Sequence, residues 1–100
     1  MTTYATIDRH SGYVWWMGQA ANALEAAERS TLETGGDQCL YTTCTQDDAA
    51  ASYDVHEVDE ATSRLVDEIG GQYAPAIAAV EACPYVATVR KLHDGEGEAE

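Results

Sequence analysis

Three cysteines and three histidines are the side chains of this 100-residue chain best suited to metal binding or nucleophilic catalysis. Cys39, Cys44, Cys83, His10, His56 and His93 form no Cys-x-x-Cys and no histidine pair at ligand spacing, so no metal site is expected. Cys39 and Cys44 are five positions apart on one predicted strand, which points them to opposite faces and forbids a shared ion or a bond between them. Their odd number, with no secretion signal, predicts reduced thiols in a cytosol, and hence a cytoplasmic protein. Cys83 and His93 could be imagined as a thiol–imidazole pair, yet nothing in the sequence sets a base beside that thiol, and acidic surroundings disfavour a thiolate. Adjacent acids such as Asp47-Asp48 or Asp67-Glu68 carry no special acid–base signal in a chain where acids are everywhere. The pairs Gly35-Gly36 and Gly70-Gly71 follow predicted helices instead of preceding them, so they cradle no phosphate. The expectation is a protein that is not an enzyme and uses no cofactor.

What remains is charge. Eighteen acids stand against five basic residues, for a net charge of −13. The stretch Asp94–Glu100 supplies four of the acids, and without it 14 against 5 still leaves −9. Such a field repels nucleic acid and attracts basic surfaces. No apolar stretch approaches a membrane span, and the residues after Met1 do not read as a signal peptide. One lysine beside four arginines also suits the acidic proteins of halophiles, a reading that stays open on composition alone.

Acids at i and i+4 on a helix, or i and i+2 on a strand, lie about 6–7 Å apart, comparable to successive phosphates on a nucleic-acid strand. Glu25, Glu28 and Glu33 on one predicted helix, Glu60, Asp67 and Glu68 on another, and Asp54, Glu57 and Asp59 nearby could present such rows. Trp15 and Trp16 are the candidate aromatic anchors, each able to bury a large area against a partner or in the core.

The elements that must position these residues follow from pattern and punctuation. Tyr4–Asp8 reads as a strand, His10-Ser11-Gly12 as a turn, and Tyr13–Met17 as a second strand with Tyr13, Trp15 and Met17 on one face and Val14 and Trp16 on the other. Asn22 caps a helix running to Thr34, Glu25 completing a capping box, with Ala20, Leu24, Ala27 and Thr31 as the inward stripe and Gly35 ending it. Gln38–Thr45 is a third strand. Ser52–Val58 is a fourth, polar enough to be exposed or at an edge. Asp59 caps a second helix that breaks at Gly70-Gly71, Pro75 opens a third helix over Ala76–Ala82, and Tyr85–Leu92 is the last strand.

Glu25, Ala26, Arg29, Glu33, Gly35 and Gly36 recur as Glu60, Ala61, Arg64, Glu68, Gly70 and Gly71 at a constant offset of 35, which raises an internal tandem repeat. With 17 alanines and only 15 residues of Leu, Ile, Val and Phe together, the core is modest. The fold expected is a single α+β domain over residues 1–93, a mostly antiparallel sheet with helices on one face in β-β-α-β-β-α-α-β order, followed by an acidic Gly/Glu tail over 94–100.

In size, charge, acidic tail and α+β layout the chain resembles the small anti-CRISPR proteins of phages and mobile elements, several of which are acidic DNA mimics. The resemblance implies a stoichiometric inhibitor that binds a CRISPR effector subunit, through a basic protein surface and with no direct contact to nucleic acid, and blocks target DNA binding or nuclease recruitment. Asp8-Arg9-His10-Ser11-Gly12-Tyr13-Val14 followed by Glu25-Ala26 is similar to the strand–glycine–strand and Glu-Ala helix of HicB-type antitoxin domains. That likeness lacks the proline-containing segment after the second strand, and it implies a small antitoxin-like or oligomerising module instead.

Overall fold

A computed structural model describes residues 2–33, 41–46 and 52–91. The elements are β1 (Thr2–Asp8), β2 (Val14–Ala20), α1 (Ala23–Glu33), β3 (Tyr41–Cys44), β4 (Ser52–Glu57), α2 (Glu60–Ile69), α3 (Ala74–Glu81) and β5 (Tyr85–Lys91). The strands form one antiparallel sheet in the order β2-β1-β4-β5-β3. Class and element order are those the sequence predicts. The expectations for Cys39, for Gly35 and Gly36, for the loop over 47–51, for His93 and for the tail fall outside the described residues.

The helix ends are set by the side chains that their spacing suggested. Asn22 Oδ1 accepts the Glu25 backbone N–H at 2.9 Å, while Glu25 Oε1 accepts the Ala21 N–H at 2.9 Å, a capping box whose return bond reaches one residue beyond the cap. Asp59 caps α2 by accepting the Thr62 N–H at 2.7 Å. Gly70 closes α2 with φ 89°, and Pro75 sits in the first turn of α3.

The helices divide between the two faces of the sheet, where one face was expected. Tyr4, Trp16, Tyr41, Val55 and Val89 pack with Ala23, Ala26 and Ala27 of α1. Ala5, Ile7, Val14 and Val58 pack with Val66 of α2 and Ala76 and Val80 of α3 on the other side. Strand alternation explains the division: Tyr4 and Thr6 point one way and Ala5 and Ile7 the other, and all four are buried. The inward stripe of α1 is also turned from the predicted one, to Ala23, Ala26, Ala27 and Ser30. Small side chains face the sheet because the sheet contributes the bulk, in Tyr4, Trp16 and Tyr41, and alanines let the helix approach those rings.

Two further expectations are corrected. β4 is not an edge strand but lies between β1 and β5. Its polar side chains find partners there: Asp54 Oδ1 accepts from Thr88 Oγ1 at 2.6 Å, and His56 Nδ1 lies 3.0 Å from the Cys83 carbonyl. The 35-residue repeat does not extend to the topology. β1 and β2 form a hairpin, whereas β3 and β4 each pair with β5 and not with one another, and α1 and α2 lie on opposite faces. The recurrence is one helix grammar used twice, an acid near the cap, an arginine one turn on and a terminal glycine pair.

β2 departs from strict alternation at Trp15. Thr6 pairs with Trp16 and Ile7 with Val14, so Trp15 is an extra residue, a β-bulge. The bulge sends Val14 into the α2–α3 side and Trp16 into the α1 side, although their spacing alone predicts a shared face. A second irregularity pairs Val55 with Ala87 but His56 with Tyr85, leaving Val86 as the extra, exposed residue in β5.

Beneath α1, the Thr6 hydroxyl is buried with no hydrogen-bond partner among the described residues. Thr6→Val replaces it with a methyl of similar shape and removes an uncompensated desolvation, so stability is expected to rise by about 1 kcal/mol in urea denaturation.

Candidate functional site

The structure separates the sequence-predicted acids into two sets. Glu25, Glu28 and Glu33 belong to α1 on one side of the sheet; Asp59, Glu60, Asp67 and Glu68 belong to the cap of α2 and α2 itself on the other, while Glu57, two residues from Val55 and paired with Tyr4, ends β4 on the α1-side face. One flat partner surface therefore cannot meet both rows at once. Asp54 is taken up within the fold, where Thr88 donates to it, Gln46 Nε2 lies at 3.5 Å and Arg9 Nε at 3.9 Å. Tyr85 OH lies 2.6 Å from Thr88 Oγ1, so a hydroxyl chain leads from Tyr85 through Thr88 to that carboxylate.

On the α1 side the acids are partly engaged. Glu25 accepts from Arg29 Nε at 3.3 Å besides serving the cap, and Glu33 Oε1 accepts the Trp16 indole N–H at 3.0 Å. On the α2 side, Glu60 pairs with Arg64 at 2.7 Å in a largely exposed i,i+4 contact, which contributes only about tenths of a kcal/mol. Glu57, Asp67 and Glu68 are exposed and have no ion-pair partner among the described residues. From Glu60 to Glu68 the helix rises about 12 Å, so the carboxylates form a ridge roughly two turns long. Asp59, at its foot, is held below the usual carboxylate range chiefly by the Thr62 backbone N–H and then by the Thr62 hydroxyl.

The two tryptophans have opposite fates. Trp16 is 8% exposed, in the core against α1, while Trp15 is 47% exposed. The Val14 N–H donates to the Gly71 carbonyl at 2.8 Å, which brings the flanks of Val14 beside the turn between α2 and α3. Tyr13, Trp15 and Tyr73 are all exposed, the first two flanking Val14 in sequence and the third two residues after Gly71. Only Trp15 of this trio was singled out in the sequence as an anchor.

At the other end of α2 lies a groove of about 530 Å³, lined by Glu57, Val58, Asp59, Thr62, Ala79, Ala82, Cys83 and Pro84. It forms where the start of α2 meets the end of α3. Cys83 Sγ is within reach of Thr62 Oγ1 at 3.5 Å and of the Ala79 carbonyl at 3.3 Å, and it is half-buried. Among the described residues, His56 addresses the Cys83 carbonyl and stacks edge-on against Tyr85 at 5.8 Å, with no hydrogen bond to the thiol. Among the described residues no three His, Cys, Asp or Glu side chains converge as a metal site, and no helix is long and apolar enough to cross a membrane. Neither the groove nor the His56–Cys83 contact carries a spacing signal, because both arise from elements that meet only in the folded chain.

No family model, curated protein or solved structure matches the chain.

Proposed function

We propose that this protein is a non-enzymatic inhibitor that lays the α2 side of its surface on a basic, nucleic-acid-binding protein and competes there with phosphates. The supporting observation is the ridge formed by Asp59, Glu60, Asp67 and Glu68, in which Arg64 is the one basic residue. Carboxylates along one side of α2, Glu60 and the Asp67-Glu68 pair two turns on, offer a cationic groove negative charge of the kind it would otherwise find on a nucleic-acid backbone, and they accelerate encounter through long-range attraction. Trp15, exposed in β2, adds short-range affinity. The partner class is a CRISPR effector subunit, as the resemblance to acidic anti-CRISPR proteins implies, and the outcome is blocked target DNA binding or nuclease recruitment.

The two-sided arrangement makes the test specific. Against purified effector complexes, the triple variant Glu60→Lys, Asp67→Lys, Glu68→Lys is expected to weaken inhibition of DNA binding at least about a hundredfold, on the basis of about 1 kcal/mol or more for each reversed charge. Glu28→Lys on α1 is expected to change it less than threefold. Inhibition by the wild-type protein should fall steadily from 0.05 to 0.5 M salt. Inhibition indifferent to both salt and the triple reversal defeats the proposal.

An oligomerising module is the second reading, supported by β2 lying at the sheet edge with Trp15 exposed beside it. A tight dimer in sedimentation, with Trp15 fluorescence shielded from quenchers, would favour it.

A further inference from the structure

β2 is an edge strand closed at both ends and open in the middle. The Arg9 N–H donates to the Ser52 carbonyl and the Val58 N–H to the Thr3 carbonyl, so odd-numbered residues of β1 turn their peptide groups toward β4 and even-numbered ones toward β2. Carried across the register, in which Ile7, Ala5 and Thr3 oppose Val14, Met17 and Gln19, this turns the peptide groups of those three β2 residues outward. The Gly71 carbonyl accepts the Val14 N–H, and just past the strand Glu25 accepts the Ala21 N–H. Met17 and Gln19, between these closures, have no outward backbone partner among the described residues. They leave a window of N–H and C=O groups on a strand with neither a charged residue nor a proline to guard it, and the bulge at Trp15 lies to one side.

A carboxylate stands over the same window. A β-carbon on Gly18 would lie 3.2 Å from Trp16 Cε2, so the indole ring covers Gly18 on the α1 side. Its Nε1, bonded to that carbon, donates to Glu33 Oε1 at 3.0 Å, and Glu33 is exposed.

We propose that this window takes up an extended segment of the basic protein partner as a sixth strand beside β2, with a lysine or arginine of that segment reaching Glu33. Main-chain hydrogen bonds to Met17 and Gln19 supply the affinity, and the carboxylate selects a cationic side chain opposite Gly18. A second copy of this chain is the disfavoured occupant. Pairing through Gly18 would bring its Glu33 against this one, between molecules that each carry a net charge of −13. The inference rests on the reading of the protein as a binder of basic proteins and adds the strand along which the partner is held. The α2 ridge then supplies attraction over distance, and the edge supplies register.

The test uses the full-length protein, labelled with ¹⁵N, and the capped peptide Thr-Val-Thr-Lys-Thr-Val-Thr. Binding is expected to shift the amides of Met17 and Gln19 and to slow their exchange with solvent. A peptide N-methylated at the two threonines flanking lysine keeps its charge and side chains but loses the donors, and should bind at least about tenfold more weakly. Replacing its lysine by glutamine should cost about threefold, a difference that Glu33→Gln, which keeps an acceptor for the indole, should abolish. Gln19→Pro removes an outward N–H where an edge strand tolerates proline, and should abolish peptide binding and weaken effector inhibition at least about tenfold. Equal binding of the N-methylated peptide, a readout that needs no variant to fold, overturns the strand; so do shifts confined to α2. A wild-type dimer in sedimentation that Gln19→Pro dissociates gives the edge to a second copy and also overturns the proposal. Full effector inhibition by Gln19→Pro without peptide binding rejects the strand and leaves the inhibitor reading standing. Peptide pairing on β2 with no effector inhibition by the wild-type protein rejects the inhibitor reading and leaves the strand.

Discussion

Trp16→Ala is expected to cost about 3–5 kcal/mol, while Trp15→Ala, one residue away, costs less than about 0.5 kcal/mol. The contrast follows from the bulge in β2, which turns Trp16 into the interior and leaves Trp15 on the surface. Trp16 is one of the few large side chains in its compartment, and the alanines of α1 facing it cannot expand to fill the space it leaves. Its indole N–H also holds Glu33 at the end of α1. Gly18 marks how closely the ring is fitted, since a β-carbon there would lie 2.5 Å from Trp16 Cζ2. For a domain whose total stability is about 5–15 kcal/mol, a loss of that size leaves much of the Trp16→Ala protein unfolded at 37 °C. Chemical denaturation followed by far-UV circular dichroism checks both variants, and equal midpoints for the two would contradict the bulge. If Trp15 is the anchor proposed above, its variant should lose effector binding while keeping its fold.

Gly71→Ala is the second large effect, expected at about 2–3 kcal/mol. A β-carbon at position 71 would stand 2.5 Å from the Val14 carbonyl oxygen and 2.7 Å from Val14 Cβ, and the first of these is backbone that no rotamer change can move. The same approach carries the Val14 N–H to Gly71 O hydrogen bond, so the alanine must push the turn away and break the bond that ties the helical hairpin to β2. Val14 belongs to the apolar set on that side, so the displacement also loosens its packing. A thermal melt is expected to shift down by about 10 °C or more, taking about 4–8 °C per kcal/mol for a domain this small. A melting temperature within two degrees of wild type would show that the turn does not press on β2 as described.

Local rules were legible in the sequence wherever one residue decides one feature. Asn22, Asp59, Gly70 and Pro75 act through their own side-chain oxygen, backbone freedom or ring, and each stands at the helix end its type predicts. The α+β class followed from the alternation of strand-like and helix-like periods. What could not be read depended on pairs far apart in sequence. β4 looked like an edge strand because Asp54 and His56 are polar, and their partners Thr88 and Cys83 lie more than twenty residues away. The apolar run from Tyr13 to Met17 was compatible with two alternations, and only the register against β1 places the extra residue at Trp15. The side of the sheet taken by each helix depended on where small and large side chains complement one another, which the periodicity of a single helix does not contain. For the candidate site, the acids of α2 were visible as a row, but the groove at its foot joins residues 57–62 to residues 79–84 and has no linear signature.

Placing apolar side chains on both sides of one sheet gives the molecule two thin interiors instead of one thick one. Neither compartment buries enough to hold its own strands in register, so each relies on the other to keep their shared wall in place. Harm done beneath α1 is thereby felt under α2 and α3, and the chain gives way as a single cooperative unit rather than one layer at a time.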